Sequence, residues 1–193
     1  MKTPAIVFVT GGIGSGKSAV CRILSSRGVP VYDSDSRTKE LYRGPLLGKI
    51  EEALGENLRL ADGSLDRKKL SSVIFNDRAK LQTVESIVHP AVLADFLLWR
   101  NGFDAEKVPF VVMESALVLS KPLFSNVADK IVAVDAPEDV RIARAVSRDG
   151  VNPDSIRRRV AAQKLPLEKA DVVITNDCTF EELEKRTLEV FFS

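Results

Sequence analysis

Cysteine and histidine are nearly absent from this chain: Cys21, Cys178 and His89 are the whole supply in 193 residues. Two cysteines so far apart form neither a C-x-x-C pair nor a disulfide framework, which points to a reducing compartment and an expected cytoplasmic location. One histidine and two scattered thiols also cannot assemble the usual nucleophilic triads or metal-ligand clusters, so covalent catalysis is disfavoured. No run approaches the ~18 uninterrupted apolar residues of a membrane span, and the N-terminal apolar run is too short for a secretory signal, so no membrane association is expected. Charge of one sign is missing as well. Lys plus Arg number 28 against 27 Asp plus Glu, a net charge of +1, which supplies no global field for nucleic acid. Repeats, low-complexity tracts and obvious linkers are lacking, and nothing fixes an oligomeric state. What is there is a chain 45% apolar and 28% charged, of a length that suits one globular domain.

Five short apolar runs stand out: Ala5–Val9, Val29–Tyr32, Phe110–Met113, Ile131–Val134 and Val172–Ile174. They lack inside/outside alternation, as strands buried on both faces do, and helical patterns separate them. The expected fold class is therefore α/β, a mostly parallel five-stranded sheet flanked by helices. Cys21 falls in the apolar periodicity after the first run and is expected in the core. The runs end at Thr10-Gly11, Asp33, Glu114, Asp135 and Asn176. Ligands of open parallel sheets bind beyond the carboxyl ends of the strands, so chemistry is sought at these residues; Asp135 and Asn176 are equally readable as turn or helix caps.

The first run feeds into Gly11-Gly12-Ile13-Gly14-Ser15-Gly16-Lys17-Ser18, which fits the Walker A pattern G-x-x-x-x-G-K-[ST] between a strand and an amphipathic helix. Glycines there permit tight turns, so that the N–H groups from Gly12 through Ser18 and a helix N-terminus converge on a triphosphate. Lys17 adds a charge near the transferring phosphoryl group, and Ser18 is the expected Mg²⁺ ligand, with water filling most of the remaining positions. No D-x-x-G or N-K-x-D element is present, which argues against a GTPase switch. The single acid after the third run, Glu114, argues against a motor or remodelling ATPase. Phosphoryl transfer to a small molecule fits better.

Between the second and third runs, residues 34–107 carry no convincing strand and read as helical. Asp66 is placed to cap a helix bearing Leu70, Val73 and Ile74, and Leu81, Val84, Ile87 and Val88 mark the next, which Pro90 is expected to interrupt or kink. Residues 137–166 carry Arg141, Arg144, Arg148, Arg157, Arg158 and Arg159, more than a solvated helix requires, although an exposed charged face accounts for part of the set. Arginines on a mobile helical pair can close over phosphates and exclude water.

In order along the chain, Val9 to Ser18, Val31-Tyr32-Asp33-Ser34-Asp35, Leu65-Asp66-Arg67, Ile74-Phe75, Ile87-Val88-His89-Pro90, Arg144 to Arg148-Asp149, Val160-Ala161-Ala162-Gln163 and Ala170 to Asn176 resemble the dephospho-coenzyme A kinase family. The resemblance implies transfer of the γ-phosphoryl of ATP to the ribose 3′-hydroxyl of dephospho-CoA, with ATP and dephospho-CoA as partners and Mg²⁺ as cofactor. It also implies a core of residues 1–60, 101–136 and 167–193, a helical CoA-side insertion of about 61–100 and a lid of about 137–166. Two positions depart from the family. Ala116-Leu117-Val118-Leu119-Ser120 stands where P-L-L-F-E is usual, leaving Glu114 as the acid nearby, and Val140-Arg141 lacks the frequent Gln before the first lid arginine.

On this reading Asp33 is the general base or hydroxyl-orienting group, with capping of the following helix as the alternative for it and for Asp35. Lys17, Arg144 and Arg148 stabilise charge on the transferring group and on ADP. Arg144 and Arg148, four apart, share a helix face. Asp35, His89 and Glu114 are expected on the acceptor side, His89 through its His-Pro setting, against the plain alternative of a structural histidine. Glu114 or Asp135 is expected to contact a metal-bound water unless it serves only a turn. Two other functions stay open at this point: a kinase for another nucleoside or small metabolite, and a P-loop module that binds nucleotide without turnover.

Overall fold

The computed structural model describes residues 2–75, 77–163 and 165–193. The chain divides into two compact units, Met1–Tyr32 with Arg100–Ser193, and Asp33–Trp99. The first is the α/β unit. Strands β1 (Ala5–Gly11), β2 (Val31–Asp33), β3 (Phe110–Glu114), β4 (Lys130–Asp135) and β5 (Val172–Thr175) form one five-stranded sheet in the order β2-β3-β1-β4-β5. β1 pairs in parallel with β3 and β4, and β4 with β5. The α/β architecture expected from the apolar runs is present.

Position in the sheet decides which strands keep a continuous apolar run. In central β1 every residue from Ile6 to Gly11 is buried, as expected for a strand covered on both faces. β5, at the edge, instead alternates: Val173 is 44% exposed and Ile174 2%, because an edge strand here is covered on one face only. β2 starts two residues later than expected, since the Val29 N–H still closes the end of the preceding helix on Leu24 and Pro30 has no N–H to give a ladder.

Helices α1 (Lys17–Ser26) and α9 (Phe180–Phe192) belong to this unit, with α7 (Glu138–Asp149) and α8 (Pro153–Ala162). Val20, Ile23 and Leu24 of α1 and Leu183 of α9 pack with Val7, Val9, Val112, Val132, Val134 and Ile174 of the strands, and Cys21 is buried among them as expected. A second cluster joins α7 to α8 through Ala145, Ile156 and Val160. The caps are encoded locally. Gly150 ends α7 in the left-handed conformation, Asn152 caps α8 ahead of Pro153, and the Thr179 hydroxyl accepts the Glu182 N–H at the start of α9.

The second unit is helical: α2 (Ser34–Leu41), α3 (Pro45–Leu54), α4 (Arg67–Phe75) and most of α5 (Arg78–Arg100), with α6 (Pro122–Ser125) lying outside it. It begins at Asp33, not near residue 61 as the family division implies. Leu47, Ile50 and Leu58 are fully buried, and Glu51 accepts the Leu58 N–H, so residues 34–60 fold with the helices and not with the sheet. Asp66 caps α4 as expected, accepting from the Lys69 N–H at 3.0 Å.

Pro90 does not interrupt α5. Proline removes one backbone bond, whereas Val84, Val88, Val92 and Phe96 recur every fourth residue on both sides of it and are all buried, so packing carries the helix across. α5 is long enough to cross a membrane, and an 18-residue stretch of it has a mean hydropathy of 1.2. Glu85, His89 and Asp95 break its apolar character, and Asp95 pairs with Arg37 at 2.9 Å.

Candidate active site at the phosphate-binding loop

β1 ends at Gly11 and α1 begins at Lys17, and the chain between them turns at Gly14 (φ 74°) and Gly16 (φ 103°). These φ values favour glycine, and space demands it too. A Cβ on Gly14 would collide with the Arg141 carbonyl, and one on Gly16 with the Asn176 amide. Gly16 is also the N-cap of α1 and offers no side chain to the first amides of that helix. No acid stands in the first turn of α1, whereas α2, α7, α8 and α9 each carry at least one there. Unsatisfied N–H groups and the positive end of the helix dipole are thus left for an anion.

The Lys17 ammonium donates to the Gly11 and Gly12 carbonyls at 2.8 and 3.1 Å. The Ser18 hydroxyl donates to Glu114 Oε1 at 2.8 Å. The register Val9↔Glu114 brings this about by setting the end of β3 beside the start of the loop. Two hard oxygens side by side suit Mg²⁺, and no group of three or more His, Cys, Asp or Glu side chains stands together among the described residues. An ion here would be held by one or two protein oxygens, phosphate and water, as Mg²⁺ prefers. Ser120, where the family's final acid is missing, lies exposed outside this pair.

A cavity of about 460 Å³ opens on the loop, lined by Gly12, Gly14, Gly16, Lys17 and Ser18, by Arg144 and Arg148 of α7, and by Asn176, Cys178 and Phe180. The two expected arginines therefore do meet the loop. Arg144 donates to the Asn176 carbonyl at 3.0 Å, and the Asn176 amide donates to the Ser15 carbonyl at 2.8 Å, so α7, the end of β5 and the loop are tied in series. Arg148 turns to Asp149, at 2.6 and 3.0 Å. That pairing raises the Arg148 pKa, and the Arg148 hydrogen bond holds the Asp149 carboxyl below its ordinary range.

The sequence marked Asn176 only as a strand end or cap, placed Arg141 among the arginines that can close over phosphates, and left Gln163 without a role. Arg141 and Gln163 both bind the tip of the loop. Gln163 Oε1 accepts the Ile13 N–H at 2.8 Å, and Arg141 Nε donates to the Ile13 carbonyl at 3.1 Å. The second guanidinium nitrogen of Arg141 is 3.8 Å from Asp135, and the third is buried with no hydrogen-bond partner. Asp135 therefore sits against Arg141, while Ser18 meets Glu114. The signal that marks Gln163 is its place in the Val160-Ala161-Ala162-Gln163 motif; nothing local marks Arg141.

Asp33 caps α2. Its Oδ1 accepts the Asp35 and Ser36 N–H groups at 3.0 and 3.1 Å, and Oδ2 accepts the Ser36 hydroxyl at 2.6 Å. Asp35 lies exposed in the first turn of the same helix, and His89 is half-buried in α5.

The family model for dephospho-CoA kinase matches residues 5–182. The chain belongs to the dephospho-CoA kinase family. It is 41% identical over 164 residues to a dephospho-CoA kinase of Porphyromonas gingivalis, covering 82% of this chain and 77% of that one. A solved dephospho-CoA kinase of Campylobacter jejuni superposes with a TM-score of 0.70 at 25% identity, over 96% of this chain and 94% of that one. A solved Thermus thermophilus protein reaches a TM-score of 0.83 at 30% identity, over 98% and 96% of the two chains. Membership in the family makes the chain a kinase with a P-loop.

Proposed function

We propose that the chain transfers the γ-phosphoryl group of ATP to the ribose 3′-hydroxyl of dephospho-CoA, giving coenzyme A and ADP. The observation that carries this reading is the joining of the P-loop to Glu114 and Arg144 in a chain of this family. The amides of Gly14, Gly16, Lys17 and Ser18 and the Lys17 ammonium hold the β- and γ-phosphates. Lys17 exchanges the Gly11 and Gly12 carbonyls for phosphoryl oxygens. Arg144 and Arg148 neutralise charge that builds on the leaving ADP, Arg144 from a place already fixed by Asn176. Ser18 and Glu114 would hold Mg²⁺, directly or through its waters, and the ion would neutralise charge on the β- and γ-phosphate oxygens.

Asp33 takes the proton of the attacking hydroxyl. The O–P bond to the 3′-oxygen forms as the γ-phosphorus bond to the bridging oxygen breaks, and that electron pair leaves on ADP. The cap bonds to Asp35 and Ser36 hold this carboxylate in one orientation; Oδ1 is filled by the two backbone N–H groups, and Oδ2, which accepts only the Ser36 hydroxyl, keeps lone-pair capacity for a substrate hydroxyl. The helical unit, with Asp35 and His89, takes the CoA side of the acceptor, and α7 with α8 acts as the lid. A cytoplasmic site of action accords with two thiols that form no disulfide.

The test is a product assay by mass and phosphorus NMR with ATP and Mg²⁺ across dephospho-CoA, adenosine, AMP, uridine and shikimate. Dephospho-CoA should be phosphorylated at its 3′-hydroxyl and the others far more slowly. Adenosine should lose rate as well as affinity, because it lacks the pantetheine arm whose binding helps orient the hydroxyl. Equal efficiency with another acceptor class would overturn the assignment.

A further inference from the structure

The tip of the phosphate-binding loop is held by the arginine-bearing helices at every point where it has something to offer. Ile13 gives its N–H to Gln163, just after the end of α8, and its carbonyl to Arg141 on α7. Its side chain packs against the cluster of Ala145, Ile156 and Val160 that joins the same two helices. Three consequences follow from the chemistry of these contacts. The Ile13 amide, expected among the phosphate-binding amides, is turned to a side chain, and the Ser15 N–H closes on the Gly12 carbonyl at 3.2 Å, so the anion cradle is left to the amides of Gly14, Gly16, Lys17 and Ser18. The loop cannot shift at its tip without breaking two hydrogen bonds to α7 and α8. Arg144, one turn after Arg141 on α7, is then aligned by the same attachment, and its bond to Asn176, itself bonded to Ser15, closes a ring from loop to helix pair to strand end and back.

We propose that Gln163 and Arg141 are positioning residues for phosphoryl transfer: they latch the loop tip to α7 and α8 through the main chain of Ile13, and thereby set where Arg144 stands over the phosphates. Neither needs to touch the nucleotide. The buried Arg141 nitrogen without a partner marks a guanidinium placed by its packing on the loop and not by solvent. Glutamine suits the other contact because a neutral acceptor takes the Ile13 N–H without adding negative charge beside a triphosphate.

The latch rests on the P-loop being the ATP site, and a mutant cycle separates the two. In wild-type protein, turnover of dephospho-CoA tests the functional reading. Gln163→Met keeps the side chain's length and removes the acceptor. It should lower kcat about tenfold, with little change in the KM for dephospho-CoA and at most a small fall in the melting temperature of the nucleotide-free protein from the unpaired Ile13 N–H. In an Arg144→Ala background the same substitution should cost less than about twofold, because the group it positions is gone. Amide hydrogen exchange at Ile13, protected in wild type and fast in Gln163→Met, reads the contact whatever the acceptor. Arg141→Gln supplies a second variant, expected to show the same non-additivity with Arg144→Ala, should Gln163→Met fold poorly. Equal fold-losses in both backgrounds, an unchanged kcat, or an Ile13 amide indifferent to Gln163 would each overturn the latch.

Discussion

In the α/β unit the hydrogen bonds that shape the site join residues far apart in sequence: Ser18 to Glu114 across 96 positions, Ile13 to Gln163 across 150 and Asn176 to Ser15 across 161. In the helical unit most polar bonds close at once. Asp33 accepts from Asp35 and Ser36, Asp62 from Ser64, Asp66 from Lys69, and Asp77 from Ala79 and Lys80. Arg37 to Asp95, 58 positions apart, is an exception. Two cavities show the same contrast. The one on the phosphate-binding loop draws on residues from Gly12 to Leu183, whereas a hollow of about 520 Å³ in the helical unit is lined by α4 alone, through Arg67, Lys68, Ser71, Ser72 and Phe75. A site for a triphosphate is built from backbone held in place by distant partners, while the helical unit spends most of its short acidic side chains on nearby turns and helix starts. Damage to the first should appear in rate and damage to the second in stability, with Asp33 as the residue that crosses the division.

Asp33→Asn is therefore the sharpest way to break the comparison. Asparagine caps helices about as well as aspartate, so the fold and the melting temperature should hold. If Asp33 also takes the proton, turnover should fall by roughly 10²–10⁴ while ATP affinity changes little, the usual range for a lost general base. Near-wild-type turnover would make Asp33 a cap and nothing more. Loss of ATP binding would assign it to the phosphate or metal side.

Lys17→Ala, wholly within the α/β unit, comes next. It removes one preorganised charge, and a loss on the order of 10²–10³ in kcat is expected with the fold retained, as checked by circular dichroism and steady-state kinetics. The side chain also braces the Gly11 and Gly12 carbonyls, so ATP affinity should weaken as well. A well-folded variant with normal kcat would remove Lys17 from the mechanism.

What the sequence made legible follows the same line. The P-loop, the five strands and their carboxyl ends could be read because each is a contiguous pattern: Gly11 to Ser18 is one run, and the strands are short apolar blocks. Asp66 could be read as a cap because the residues it serves come directly after it. The contacts of Asn176, Arg141 and Gln163 to the loop could not be read, since their partners lie in another element and pairing at that distance leaves no mark in a single sequence. The helical reading of residues 34–107 already covers the start of the helical unit, and it is the division implied by the family that begins it near residue 61. Residues 34–60 follow a strand and contain no break in composition, and only the burial of Leu47, Ile50 and Leu58 reveals which unit they stabilise. Pro90 misled because a local rule was outweighed by packing along α5.

The smallest expected effect tests the stability half of the comparison. Glu51, in the helical unit, accepts the Leu58 N–H at 2.9 Å and pairs with Arg59 at 2.9 Å, and the Leu58 bond, helped by Arg59, holds its carboxyl below the ordinary glutamate range. A folded-state pKa lowered in this way contributes stability that is present above the unfolded value and lost as pH falls through the folded one. Glu51→Gln should therefore melt a few degrees below wild type at neutral pH, and the gap should close once the pH drops below the ordinary glutamate range and wild-type Glu51 is itself protonated. Turnover at saturating substrates should be unchanged at neutral pH. A gap that persists undiminished in acid would mean that shape, not charge, is what Glu51 supplies, and a fall in kcat would mean that this part of the helical unit serves the reaction as directly as the loop does.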